Sequence, residues 1–419
     1  MRKSFIGLLI FGILGLWSIS PSFATSTSVD ALINKLVDKG ILTEKEAAEL
    51  EGEIAADEKL LREEGYKQGL SPWIHNTTIK GDFRLRHEFS KRNDSSDQDR
   101  SRGRIRYRLG FETKINDQTK VAAGLASNGG NPRATNQTFT DAFAKSAINL
   151  DYAYVETKPY SWLALTGGKM KMPIWEAGDL LWDTDITPEG GALNLVMNTL
   201  PPNLTTFFNV GAFVLDESAA DQTDPYLFVF QPGIQFKTSD EKADLKLALA
   251  YYSFSDGAQK SVLDNRSSPT TNTVAGGMYD YKYNSINPNV ELGFNNPFPS
   301  SPIAIPRVAI FGEYINNPDP DDDNVGWLLG GYMGDKKVSG PGQWQVKGSY
   351  RSLGKDAWPD SFPDSDFYGG ATDVKGYETI FEYGLNKNTS IAIDYYRTQR
   401  IKTDKAVETV LQTDLNFKF

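Results

Sequence analysis

The chain has 419 residues, 54 Asp and Glu against 44 Lys and Arg, a formal charge of −10, only two His and no Cys. An acidic chain without a long basic segment is not built for nucleic acid, where binding rests on phosphate neutralisation. Without Cys there is no disulfide framework and no thiol chemistry, so hydrogen bonding and packing must hold the fold.

The first element reads as an export signal. Arg2 and Lys3 precede an uncharged apolar run, Phe5 to Trp17, and Ser22-Phe23-Ala24 puts small residues at the −3 and −1 positions of a cleavage site after Ala24. The run is short for a spanning helix, which takes ~20 residues, so residues 1–24 are expected to be removed rather than kept as an anchor. The remaining chain carries 42 Lys and Arg against 54 Asp and Glu, a charge of −12.

Residues 25–70 read as a helical segment. One helix runs from Asp30 to Lys39 and stops at Gly40; Thr43 with Glu46 is a capping box opening a second, which reaches about Glu64 with Gly65 as its stop. Leu50, Ile54 and Leu61 form a narrow apolar stripe on this charged helix. The stripe either packs on a neighbouring element or builds a small periplasmic coiled coil that assists trimer formation, with Asp57 interrupting the seam.

From about Asn76 within residues 71–419 the period changes to two, and sixteen candidate strands follow. Odd-numbered connections are mostly long and polar. Even-numbered ones are mostly short turns: Asn116 to Gln118, Lys158 to Tyr160, Asn198 to Asn203, Thr238 to Glu241 and Asn386 to Asn388. Long loops alternating with short turns predict an all-β fold, a transmembrane antiparallel β-barrel of about 16 strands. The tenth strand, near Tyr279 to Phe294, is interrupted by Pro288, and the turn at 295–302 is longer than the other even ones. The run Asp319 to Asp323 falls in a long loop, as a solvated tip or a gatherer of divalent cations. Tyr152, Tyr154, Tyr251, Trp344, Tyr350, Tyr383, Tyr395 and Phe419 are placed as interfacial girdle residues.

Two stretches carry the chemistry. In the first strand Lys80, Asp82, Arg84, Arg86 and Glu88 share one face; in the second, Arg102, Arg104, Arg106 and Arg108 do. An Arg or Lys facing lipid at mid-depth costs roughly 2–4 kcal/mol, so these faces are expected to turn to the lumen and build a basic wall. Asp82, Glu88 and Glu112 are the nearby acids, and the wall either pairs with them structurally or helps define a solute path. The connection at about 171–189 interleaves Trp175, Leu180, Leu181 and Trp182 with Glu176, Asp179, Asp183, Asp185 and Glu189. Folded inward, Trp175 and Trp182 would anchor this loop on the inner wall while its carboxylates face water; the alternative is an external loop at a subunit contact. The basic wall opposite acidic groups would set a transverse field that favours small polar solutes.

The chain ends on an alternating strand, Leu411, Thr413, Leu415, Phe417 and Phe419 on one face, resembling the C-terminal signature of outer-membrane barrels that the barrel-assembly machinery recognises. The stretch Thr166-Gly-Gly-Lys-Met-Lys-Met-Pro-Ile-Trp175, with Leu-Leu-Trp-Asp-Thr-Asp-Ile-Thr-Pro-Glu-Gly190 beyond it, resembles the "putative porin" family of Gram-negative bacteria. The resemblance implies an outer-membrane channel in contact with lipid, oligomeric and expected as a homotrimer, passing ions and small polar solutes without a cofactor. It places Gly167, Gly168, Lys169, Met170 and Pro173 at a strand end and loop entry, with Asp183 and Asp185 beyond; Lys169 stands where Arg is expected. The rivals are a plugged structural or adhesive barrel and a barrel that sheathes an electron-transfer partner. An enzyme is not expected: neither His75 nor His87 has a catalytic setting, and no nucleophile elbow or zinc-spaced His pair occurs.

Overall fold

The computed structural model describes residues 27–65, 71–93, 99–128, 130–199, 201, 203–217, 224–256, 270–403 and 406–419. The chain divides between His75 and Asn76 into two compact units. The expected export signal lies outside the described residues.

In the first unit, α1 (Thr27–Asp38) and α2 (Glu44–Gly65) form as the capping signals predict. The Thr43 N–H donates to Glu46 Oε2 at 2.9 Å, and the Glu46 N–H donates to Thr43 Oγ1 at 3.3 Å. Gly40 takes the left-handed conformation, φ 66°, that ends α1 without a Cβ penalty. Ile33 and Ala47 are buried, Leu50 is exposed and Ile54 half-buried; the side chain of Leu61 is outside the described set. No helix among the described residues is long and apolar enough to cross a membrane.

The second unit is a closed antiparallel barrel of sixteen long strands. They are β1 (Thr77–Arg92), β2 (Arg100–Lys114), β3 (Thr119–Ser127), β4 (Ile148–Tyr160), β5 (Leu163–Lys169), β6 (Glu189–Thr199), β7 (Leu204–Val214) and β8 (Tyr226–Lys237). Then follow β9 (Ala243–Phe254), β10 (Ser285–Asn295), β11 (Arg307–Asn316), β12 (Val325–Gly334), β13 (Trp344–Leu353), β14 (Val374–Asn386), β15 (Thr389–Arg400) and β16 (Val407–Lys418). Each pairs with the next, a two-residue strand at Gln137–Thr138 adds to β2, and β16 closes onto β1 with Arg86 opposite Asp414. Closure leaves no free edge, so every ladder group on these strands can find a partner.

The turns follow from local chemistry. Asn116 Oδ1 accepts the N–H groups of Gln118 and Thr119 at 2.9 and 2.8 Å, an Asx turn between β2 and β3. The turn expected at Lys158 to Tyr160 forms two residues later, at Ser161 and Trp162. There the ladder is irregular between Thr157 and Tyr160, around Pro159, which has no N–H to give. Pro288 does lie inside β10, with its ring on the outer face. The Asn287 side-chain amide donates to the Tyr314 carbonyl at 2.8 Å, across the point where the β10–β11 ladder skips.

The outer face is apolar. Tyr251, Trp327, Tyr350, Tyr377, Tyr383, Ile393 and Phe419 are exposed there, with Phe83 against Phe417 at 6.2 Å between ring centroids. Tyr152 and Tyr154, read from the sequence as girdle residues, face the lumen instead. A register shift between Gly124 and Leu125 opposite Asp151 reverses the alternation of β4: Ile148 and Leu150 point outward before it, and Ala153 and Val155 after it.

Candidate functional site

The predicted basic wall is assembled by register. Arg84 lies opposite Arg106, Arg86 opposite Arg104, Glu88 opposite Arg102 and Asp82 opposite Arg108, all on the inner face. Like charges in adjacent rows repel unless acids sit between them, and each arginine has one. Asp82 accepts from Arg106 Nε at 2.8 Å and Arg108 Nε at 2.7 Å. Glu88 accepts from Arg102 and from Arg104 Nη1, the latter at 2.9 Å. Arg86 forks onto Asp414 at 2.7 and 2.8 Å and reaches Asp366 at 3.1 Å. Glu112, expected among these acids, pairs with Lys80 and Lys120 instead, because it lies two inner rows below Arg108 toward the turn. Asp414 on β16 and Asp366 in a loop are acids that sequence reasoning did not bring to the wall, and Asp185, expected in the inward loop, reaches Arg108.

The β5–β6 loop, 170–188, folds into the barrel. Its base is set by two glycines opposite each other, Gly168 at φ 123° and Gly190 at φ 146°, where a Cβ would stand 2.4 and 2.1 Å from a facing carbonyl oxygen. No other residue fits that entry and exit. Leu180, Leu181 and Trp182 are buried, while Trp175 is half-buried with Lys246 Nζ 4.2 Å from its ring centroid. The far wall accepts the loop's backbone: Trp175 N–H donates to Gln231 at 2.9 Å, Ala177 N–H to Asn289 at 2.9 Å, and Gly178 and Leu180 N–H to Glu313 at 2.5 and 3.1 Å. The predicted anchors therefore lie inside.

The loop carboxylates do not stand free in water as expected. Tyr252 donates to Glu176 at 3.4 Å, Asp179 lies 3.4 Å from Arg351, and Asp183 is buried. Asp185 accepts from the Thr135 N–H at 3.0 Å and faces Arg108 at 3.4 Å; Glu189 alone of the five is largely exposed, paired with Lys169 at 2.9 Å. The reason is a second inward segment, residues 354–373 between β13 and β14, which covers the first. Trp182 packs on Phe362 at 4.7 Å and edge-on to Trp358 at 5.5 Å. The Asp183 N–H donates to the Phe362 carbonyl at 2.7 Å, and Asp183 Oδ2 accepts the Ser365 N–H at 2.9 Å. From the β3–β4 connection, Arg133 Nη1 donates to the carbonyls of Asp360, Pro363 and Gly370 at 3.0 to 3.3 Å.

These three segments meet the basic wall at three points: Asp366 on Arg86, Asp185 on Arg108, and Asn136 on Arg84 at 2.5 Å. Burial and the neighbouring Asp364 and Asp185 push the Asp183 carboxyl up to about 8. Burial likewise holds Asp364 up at about 6 against the pull of Arg351. Toward the turn end, a cavity of about 400 Å³ remains beside the wall, lined by Lys80, Arg106, Arg108, Asp151, Lys171 and Asp185. No group of three or more His, Asp or Glu among the described residues could hold a metal.

A family model described as "putative porin" matches residues 90–287 and 281–419. Among solved structures, a substituted variant of the Rhodopseudomonas blastica porin aligns at TM-score 0.44 and 11% identity, over 82% of this chain and 100% of that one. A second variant of the same porin aligns at TM-score 0.43 and 12% identity with the same coverage. No curated protein matches the chain. By the extent of the family match, the chain belongs to the putative-porin family.

Proposed function

We propose that this chain is an outer-membrane porin, a channel for passive diffusion of ions and small polar solutes, working as a homotrimer without enzymatic activity. The observation that carries the reading is the division of the closed barrel between an apolar outer face and an inner face bearing a six-arginine wall. Ionised side chains on an inner wall keep a lumen hydrated, and a barrel of about sixteen strands is wide enough to conduct before loops narrow it. The passage runs beside Arg84, Arg106 and Arg108, where the wall meets the loops.

Single-channel recording of the purified mature protein in a planar bilayer tests this. Stepwise openings, grouped in threes for a trimer, are the expected result. Silence from protein shown to be folded would sink the open-pore reading. One observation favours a second reading, a barrel that rests closed: three segments are hydrogen-bonded to each other and to the basic wall. On that reading wild-type protein is silent, and loosening the loop cluster restores conductance.

A further inference from the structure

We propose that the long-loop mouth carries a binding site for small organic dicarboxylates, built by Arg92, Arg400 and Lys355 around Tyr368. Arg92 is the last member of the inner stripe on β1 that holds Arg84 and Arg86, and Arg400 ends the inner stripe of β15. Both guanidiniums lie over the one Tyr368 ring, at 4.4 and 5.0 Å from its centroid. Tyr368 is placed there by three successive left-handed residues, Tyr368 (φ 52°), Gly369 (φ 69°) and Gly370 (φ 75°). A non-glycine residue held in that region costs free energy that the surroundings must supply. Its hydroxyl donates to the Ala406 carbonyl at 3.3 Å, which fixes the ring from the other end.

Beside the ring is a cavity of about 490 Å³ whose lining includes all three cations, within the size range of small-ligand sites, roughly 300–1,000 Å³. The other polar groups there are already committed. Thr271 Oγ1 lies 3.2 Å from Asp360 and 2.9 Å from Thr372 Oγ1; Asp373 accepts the Lys402 and Thr403 N–H groups and the Thr403 hydroxyl. The cations have donors to spare. Arg92 gives one nitrogen to Glu408 at 2.9 Å, and Arg400 gives Nη1 to the Thr372 carbonyl at 2.6 Å. A guanidinium has five N–H donors. Lys355 and Arg400 have no ion-pair partner among the described residues. Among the lining residues three cations face one acid, Asp373, while Glu408 is held by Arg92 and Asp360 by the donors of Thr270 and Thr271, and guanidinium forks match carboxylate geometry. Two unpaired cations, Arg400 and Lys355, with a part-paired third, call for a ligand with two carboxylates rather than one.

The site's purpose, to concentrate such solutes ahead of the passage, rests on the porin reading; its binding does not. The test is calorimetric titration of the full detergent-purified protein with succinate. Saturable heat is expected, with affinity at least tenfold weaker in Arg400→Ala and in Lys355→Gln, and none for the neutral succinamide. Lys355→Gln keeps the stem and polarity, and retained folding is read from heat-modified migration. Unchanged affinity in both variants, or no heat from folded wild type, would overturn the site. Inorganic phosphate binding as tightly as succinate would overturn the dicarboxylate assignment. A silent bilayer with succinate binding intact sinks the porin reading alone, whereas conduction without binding sinks only the site.

Discussion

On the β16–β1–β2 side of the lumen, charge meets charge: six arginines share Asp82, Glu88, Asp414, Asp366 and Asp185. On the β6–β11 side the groups that meet the loop at 170–188 are largely amides. Asn194 donates to Asn209 and Asn209 to Gln231, while Gln231, Asn289 and the Glu313 carboxylate accept backbone N–H groups of the loop at 170–188. The difference follows from what each wall must satisfy. A loop driven into a barrel brings backbone N–H groups with no ladder partner, and a buried unpaired N–H costs as much as a lost hydrogen bond. Amide and carboxylate acceptors replace the missing strand. The arginine wall seats little backbone; its charges are satisfied by acids instead, with Arg102 and Arg108 the most open of the six. One wall anchors the loop; on the proposed porin reading the other borders the solute path.

That contrast can be broken most severely at the aromatic joint behind the anchoring wall. Trp358 is fully buried against Trp182, Tyr252 and Phe254, and burying an aromatic of this kind is worth about 3–5 kcal/mol on truncation to Ala. Trp358→Ala should lower the thermal midpoint by several degrees and raise single-channel conductance as both inward segments loosen. An unchanged conductance in folded variant would show that they do not restrict the lumen.

Next in size is Glu313→Ala, which leaves the Gly178 and Leu180 N–H groups without acceptors, at about 1–3 kcal/mol each. Faster hydrogen exchange confined to residues near 178–180 is the expected readout. Equal exchange rates in wild type and variant would mean that the loop is held by its apolar side chains alone.

On the porin reading, the arginine wall should respond in selectivity rather than stability. Replacing Arg104 and Arg106 together by Ala removes two cations and leaves Glu88 and Asp82 to Arg102 and Arg108. The reversal potential under a salt gradient should move toward cation preference. A permeability ratio equal to wild type would take both arginines out of the solute path.

The smallest effect expected is a pH response at Asp183. Its folded carboxyl is raised to about 8 by burial and by Asp364 and Asp185, above the usual Asp value near 3.9. The stabilising contribution of the neutral form is therefore complete below about pH 4 and is lost as pH rises through 8. Asp364, at about 6, loses its share earlier in the same direction. Conductance should increase between pH 5 and 9, and Asp183→Asn should flatten most of that rise. A rise of the same size in Asp183→Asn would assign the response elsewhere.

Sequence made the arginine wall legible because a strand has period two: once one face of Phe83, Leu85 and Tyr107 is committed to the outside, Arg84, Arg86 and Arg106 have nowhere else to point. The same logic failed at Tyr152 and Tyr154, where one unpaired residue at Asp151 reverses the face without leaving a mark in the alternation. The inward loop at 170–188 was readable from two Trp and two Leu set among acids. The segment 354–373 carries the same signal, Trp358, Phe362, Phe367 and Tyr368 among Asp356, Asp360, Asp364 and Asp366, and could have been found by it. That the two loops pack on each other, and so bury the carboxylates expected to face water, could not.

The sequence by itself determined what depends on near neighbours: the Thr43–Glu46 cap, the sixteen strands, the sorting of long loops from short turns, and which side chains share a face. These are settled by backbone sterics and periodicity within a few residues. Tertiary structure alone decided the partners. Arg86 finds Asp366 and Asp414, and Arg133 finds the carbonyls of 360–370, across hundreds of residues. Closure of the sheet brings those groups together, and the cost of a buried unpaired charge selects which of them meet.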